Sequence, residues 1–130
     1  VYKRQVVTSS QRSSVESAKT YVMQMVDSVF TLAGAEVAHS DGYPGWAPNP
    51  ESELLNVTVS SYKHLFGVEP KVRAIHAGLE CGLFLEKYPD LEMVSFGPTL
   101  RGVHSPDERL EIATVRKFWD LLTDVLVKIE

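Results

Sequence analysis

Apolar residues recur at three- and four-residue spacing early in the chain. Val15, Ala18, Val22, Met25, Val29 and Leu32 would share one face of a helix, with Gly34 as a permissive stop just beyond. Ser13 or Ser14 can cap its start, and residues 6–9 form a short β-prone run leading into it. Residues 35–39 can form a strand. The run Asp41-Gly42-Tyr43-Pro44-Gly45-Trp46-Ala47-Pro48-Asn49-Pro50 then forbids a continued helix or ladder, so a domain boundary is expected there. Residues 52–66 predict a second helix with Leu54, Leu55, Val59, Tyr62 and Phe66 as its apolar set, closed by Gly67 and followed by Pro70. Residues 72–76 and 91–96 are strand candidates. Between them lie a glycine-flanked turn, Gly78-Leu79-Glu80-Cys81-Gly82, and a short helical stretch to Lys87.

The last helix is expected to begin at Pro106. Ser105 offers a capping hydroxyl, Pro106 suits the first helical position, and Glu108 stands three residues after the cap, where it can reach back. From there Leu110, Ala113, Phe118, Leu122, Val125, Leu126 and Ile129 would keep an apolar face to the end. The alternation of helices and strands argues for an α/β layer whose connections cross over a sheet.

Composition narrows the function classes. The chain has 130 residues, is 44% hydrophobic and carries a formal charge of -4, which describes a globular protein with a core and no basic stripe to track a phosphate backbone. Nucleic acid is therefore not expected as a partner. The single cysteine, Cys81, can form no internal disulfide and no thiolate-only zinc site, which fits a reducing compartment. No apolar run is long enough to span a bilayer, so no membrane partner is expected. Val1-Tyr2-Lys3-Arg4-Gln5 reads as the in-frame translation of a transposon-end sequencing adapter, a tail outside the fold; an ordinary polar tail is the alternative.

Candidate chemistry gathers at a few residues. His39 and His64 read as ordinary surface histidines, His64 near a helix end where a cation suits the macrodipole. His104 follows the turn-forming Gly97-Pro98-Thr99-Leu100-Arg101-Gly102 and precedes the expected helix start, whose positive end would favour the neutral imidazole that a metal needs. It is either a ligand or a loop histidine of no special function. In His76-Ala77-Gly78-Leu79-Glu80-Cys81-Gly82 the glycines permit close backbone approach to a carbonyl or carboxylate, and His76 and Glu80 offer charge; a tight strand-to-helix turn explains the same residues. Cys81 reads as a small filler, since no partner base is indicated. Arg12, in the serine-rich stretch 9–14, can clamp a carboxylate with its guanidinium fork or stand solvated.

Taken together, Ile75-His76-Ala77-Gly78-Leu79-Glu80-Cys81-Gly82, Ser95-Phe96-Gly97-Pro98-Thr99 and His104-Ser105-Pro106-Asp107-Glu108 resemble, in order and spacing, the C-terminal signature of aminoacyl-histidine dipeptidases. Arg12-Ser13-Ser14 and Tyr43-Pro44-Gly45-Trp46 resemble further stretches of that family, so the similarity runs from about residue 6 to the end. It implies a cytosolic metallopeptidase, related to carnosinases and glutamate carboxypeptidases, that hydrolyses dipeptides including Xaa-His with a water activated by two zinc ions. The implied architecture is the C-terminal part of a zinc-peptidase-like catalytic α/β domain, residues 48–130, preceded by the last strand-helix-strand of an inserted lid domain, residues 6–47, with residues 1–5 outside both.

By the same resemblance His104 is the family's last zinc ligand, Arg12 its lid arginine for the substrate's terminal carboxylate, and Gly78 a substrate-contacting glycine. His76 and Glu80 are looser candidates for shaping the pocket. The remaining ligands and the general base would lie in an N-terminal portion not contained in these residues, so no catalytic base is expected among them and the chain alone should be inactive. The partners in view are a dipeptide, that N-terminal portion of the same enzyme, and a second copy in a homodimer. Faces meant for absent protein should then stand exposed and apolar. A self-contained α/β binding module that kept the fold without the chemistry is the rival reading, and a relative acting on longer peptides or acylated amino acids would differ only in pocket shape.

Overall fold

The computed structural model describes residues 4–40, 42–74 and 80–129. Helices dominate: α1 spans Glu16–Leu32, α2 Glu53–Phe66, α3 Glu80–Lys87 and α4 Val115–Lys128, the last entered through a 3-10 turn at Ile112–Thr114. The one ladder among the described residues pairs β1 (Leu100–Arg101) antiparallel with β2 (Arg109–Leu110), Leu100 opposite Leu110 and Arg101 opposite Arg109. By contacts the chain divides into two compact units, Val1–Pro48 with Arg73–Leu91, and Asn49–Val72 with Glu92–Glu130.

In the first unit α1 follows Val15, which has extended backbone angles and no side-chain cap. The serine expected to cap it acts one step earlier, for Ser13 Oγ accepts from the Val15 N–H at 3.1 Å and closes a local turn. At the other end Gly34 adopts φ 79°, and the N–H groups of Gly34 and Ala35 donate to the Thr31 and Phe30 carbonyls. That pair of bonds is the Schellman closure the glycine foreshadowed. The expected apolar face of α1 is not its covered face. Val15, Val22, Met25, Val29 and Leu32 are exposed, Leu32 at 89%, whereas Met23, Val26 and Phe30 are half-buried. Both sets recur at helical spacing, so periodicity alone could not choose between them.

In the second unit α2 is capped as its sequence dictates. Ser52 Oγ accepts from the Leu55 N–H at 3.2 Å, and Gly67 ends the helix in the left-handed region with its N–H on the Lys63 carbonyl. A second acceptor reaches the same N-terminus from far along the chain, since both Glu92 carboxylate oxygens take N–H groups, from Glu53 at 3.1 Å and Leu54 at 2.9 Å. α2 packs on α4. Leu121 and Val125 are buried on α4, and the small polar Thr58 and Ser61 on α2, Ser61 completely. Neither polar group is orphaned: Thr58 Oγ1 donates to the Leu54 carbonyl at 2.7 Å, and Ser61 Oγ accepts from Lys128 Nζ at 3.1 Å. Tyr62 meets Phe66 edge-on at 4.8 Å, with Lys117 Nζ over both rings, and Phe96 meets Phe118 at 5.8 Å.

Two expectations are corrected. Residues 6–9, 35–39, 72–74 and 91–96, expected as strands, form no ladder among the described residues, which are mostly helical with one small sheet; residues 75 and 76 of the third run lie outside them. A β-prone run becomes a strand only where a neighbour takes its N–H and C=O groups, and periodicity does not reveal the neighbour. The last helix begins at Val115, nine residues after the expected start at Pro106. Arg109 and Leu110 are held in the ladder and Glu111 is extended, so helical angles cannot start before Ile112.

Candidate functional site

His104 sits in the loop that joins β1 to β2, its side chain exposed. The loop is tied by short-range bonds that its sequence makes available. Ser105 N–H and Ser105 Oγ both donate to the Gly102 carbonyl, at 3.1 and 2.7 Å, the Glu108 N–H donates to the Ser105 carbonyl at 3.0 Å, and the Asp107 N–H to Ser105 Oγ at 3.3 Å. Gly102 is needed at its position. Its φ is 61°, and a β-carbon there would stand 3.1 Å from the Asp107 carbonyl oxygen and 3.2 Å from Ser105 Oγ. Ser105 and Glu108 therefore do not make the reciprocal contacts anticipated for a helix cap: within a turn, their side chains accept instead from the Asp107 and His104 N–H groups.

His104 itself has φ 64°, alone among the described non-glycine residues in the left-handed region. Such a conformation costs roughly 1–2 kcal/mol and persists where the surroundings impose it, commonly at functional positions. Its N–H donates to Glu108 Oε2 at 2.8 Å. The helix N-terminus expected to sit beside the ring is displaced to Val115, so the dipole argument for a neutral imidazole does not apply to this loop. Among the described residues no three His, Cys, Asp or Glu side chains gather to hold a metal. A catalytic zinc takes about three protein ligands plus a water, so His104's exposed imidazole fits as one donor of a larger set.

The other candidates on described residues belong to the first unit. Arg12 is exposed just ahead of α1, and the chain beside it is anchored. A β-carbon on Gly45 would stand 2.7 Å from the Ser14 carbonyl oxygen, so only glycine lets Tyr43-Pro44-Gly45-Trp46 lie against Ser13-Ser14. The Gly45 N–H donates to Glu16 Oε2 at 3.1 Å, and Lys19 Nζ donates to the Tyr43 carbonyl at 2.8 Å while holding Glu16 at 2.7 Å. The Glu16 carboxyl is accordingly held below its ordinary range, first by Lys19 and then by the Gly45 N–H. Gly82 of α3 in turn lies against the Pro44 carbonyl, where a β-carbon would collide. Glu80 opens that helix and is exposed. Three separate motifs thus form one packed cluster that presents Arg12 and Glu80. His76 and Gly78 lie outside the described residues.

Glu108 and Glu16 bond the backbone beside the candidate residues, at His104 and Gly45, and residue patterns did not single them out for these contacts. Glu108 was legible only as a capping glutamate, and nothing local marks Glu16 as the acceptor for Gly45. His39 Nε2 lies 3.8 Å from Asp27 Oδ1, and His64 falls in the last turn of α2, the ordinary surface settings expected of both.

Comparison with known proteins agrees with the motifs. The sequence profile described as Peptidase family M20/M25/M40 matches residues 5–128. Over 118 residues the chain is 47% identical to the cytosol non-specific dipeptidase of Escherichia coli (strain K12), covering 91% of this chain and 24% of that protein. The crystal structure of aminoacylhistidine dipeptidase from Vibrio alginolyticus is 46% identical with a TM-score of 0.75, again over 91% of this chain and 24% of that one. The chain therefore spans about a quarter of the length of these relatives.

Proposed function

The chain belongs to peptidase family M20/M25/M40, and we propose on that basis that it serves in a zinc metallopeptidase that hydrolyses dipeptides, Xaa-His among them. The observation that carries the reading is His104, an exposed imidazole on a strained, hydrogen-bonded turn between paired strands. It is proposed as one ligand of a paired zinc centre whose other ligands and general base come from an N-terminal portion of the same enzyme. When bound, zinc supplies Lewis acidity to the scissile carbonyl and lowers the pKa of water. The work of this chain is to hold and to orient.

Arg12 is proposed to take the dipeptide's terminal carboxylate, a task suited to a planar fork of donors, so that binding energy remote from the scissile bond helps align it. The packing of Ser13-Ser14 against Gly45 supports that role by restraining the backbone beside the arginine. Gly78 is proposed as a backbone contact to substrate, with His76 and Glu80 lining the pocket. The Escherichia coli relative is named for the cytosol, and the proposal extends that compartment to the enzyme this chain serves.

The test combines this chain with the N-terminal portion of the Escherichia coli relative and measures zinc content and dipeptide hydrolysis. Zinc-dependent cleavage is expected, His104→Ala abolishes it, and Arg12→Ala raises KM roughly ten- to a hundred-fold for loss of a charge-assisted contact. Hydrolysis by the isolated chain, or full activity of the combined His104→Ala protein, would overturn the assignment.

A further inference from the structure

We propose that Glu108 is a positioning residue for His104, fixing the ligand through its backbone; this rests on the reading of His104 as a zinc ligand. The second support in most histidine metal sites is a partner on the free ring nitrogen. The contact seen in this loop is different: the Glu108 carboxylate accepts the main-chain N–H of His104 at 2.8 Å.

The argument runs through the backbone angle. A residue with a β-carbon at φ 64° would relax into the ordinary β or right-handed region unless something held it, and either move swings the Cα–Cβ bond to a new direction. The imidazole nitrogen would then shift by ångströms, whereas metal–ligand distances are held to about ±0.2 Å. The conformation of residue 104 therefore decides whether its ring points at the metal or away from it.

Among the described residues, Glu108 is the one side chain hydrogen-bonded to the His104 main chain. The other bonds of the loop among the described residues join its neighbours: Ser105 to Gly102, Asp107 to Ser105, Glu108 to Ser105 and Arg109 to Asp107. The Ser105–Gly102 bond closes a four-residue turn with Val103 and His104 at its centre, and within that turn the Glu108 carboxylate adds the one side-chain restraint on the His104 peptide N–H among the described residues. The ladder at the foot of the loop keeps Glu108 in reach, since Arg109 is paired with Arg101 immediately after it. The spacing His104-Ser105-Pro106-Asp107-Glu108 is thus functional in two ways, with the histidine presenting the ring and the glutamate setting its direction.

Three variants test this: Glu108→Ala, Glu108→Gln and His104→Ala. NMR of the chain itself reads the sign of φ at residue 104 from the intraresidue Hα–HN NOE, and a thermal melt reports whether the fold survives. Zinc affinity and the cobalt(II) absorption spectrum are then measured with the N-terminal portion of the Escherichia coli relative supplied. Glu108→Ala is expected to lose the positive φ, to weaken zinc binding roughly ten- to a hundred-fold and to alter the cobalt spectrum, with the melt of the chain little changed. Glu108→Gln keeps an acceptor oxygen and is expected to restore both φ and affinity. If Glu108→Ala retains either the positive φ or wild-type zinc affinity while His104→Ala loses the metal, Glu108 does not position the ligand. If His104→Ala itself binds zinc normally, the ligand reading fails, whatever the Glu108 variants do to the backbone. A Glu108→Ala chain that does not fold leaves Glu108→Gln to decide, because wild-type φ with lost affinity in that variant overturns the inference.

Discussion

Glu92 shows how much one side chain can do at a distance. Its two oxygens receive the N–H groups of Glu53 and Leu54, thirty-nine and thirty-eight residues earlier, and close two of the orphan donors at the start of α2. A carboxylate there also meets the positive end of the helix. The Leu54 N–H bond is the main reason that the Glu92 carboxyl lies below its ordinary range. Because the folded value is depressed, the stability it contributes is present above the unfolded value, about 4.3, and is lost as pH falls through the folded one. Thermal melts should therefore show the chain losing stability on acidification below that range, and Glu92→Gln should lower the melting temperature at neutral pH while flattening the acid limb. A wild-type acid limb in the variant would show that the cap contributes nothing. The residue types of the candidate site were legible, as was Gly67 at the end of α2, because stops and turns depend on near neighbours. Glu92's partners were not, since no local pattern says which carboxylate will arrive at a helix end.

Among the elements, α2 and α3 followed their sequence signals closely, and α4 did not. At residues 105–108 the cap pattern favoured a helix start, worth about 1 kcal/mol, but the same groups are used in the turn between β1 and β2. Pairing of Leu100 with Leu110 and closure of Thr99 on Thr114, whose Oγ1 accepts the Thr99 N–H at 2.8 Å, outweigh that preference. Once begun, α4 is held by packing. Leu121 and Val125 are buried one turn apart, so Leu121→Ala should destabilise the second unit by about 2–5 kcal/mol in a denaturant melt. A loss under about 1 kcal/mol, the scale of a tolerated core swap, would mean that α2 and α4 do not share a core at this position.

On the scale of the whole chain, α1 carries apolar residues on both faces, and only Met23, Val26 and Phe30 are partly covered. Exposure of Val22, Met25, Val29 and Leu32 matches the expectation for a chain spanning a quarter of its relatives' length. Since Val29 is 64% exposed, Val29→Ser should shift the melting point of this chain little, within about 0.5 kcal/mol. A large loss would show that the face is covered in solution. Among the described residues no helix is long and apolar enough to cross a membrane.

The residues along the chain were enough to set the stops of α1 and α2 at Gly34 and Gly67, the close approach available to Gly82, and the motifs whose order agrees with peptidase family M20/M25/M40. Caps, left-handed stops and short motifs act over a few residues, and the chain carries that information directly. Tertiary structure alone decided which face of α1 is covered, which β-prone runs find a partner, where α4 begins, and that His104 stands in a left-handed turn held by Glu108. Each of those depends on a neighbour supplied from elsewhere in the chain, and hydrogen-bond partners and packing surfaces are not encoded in the spacing of the residues that need them.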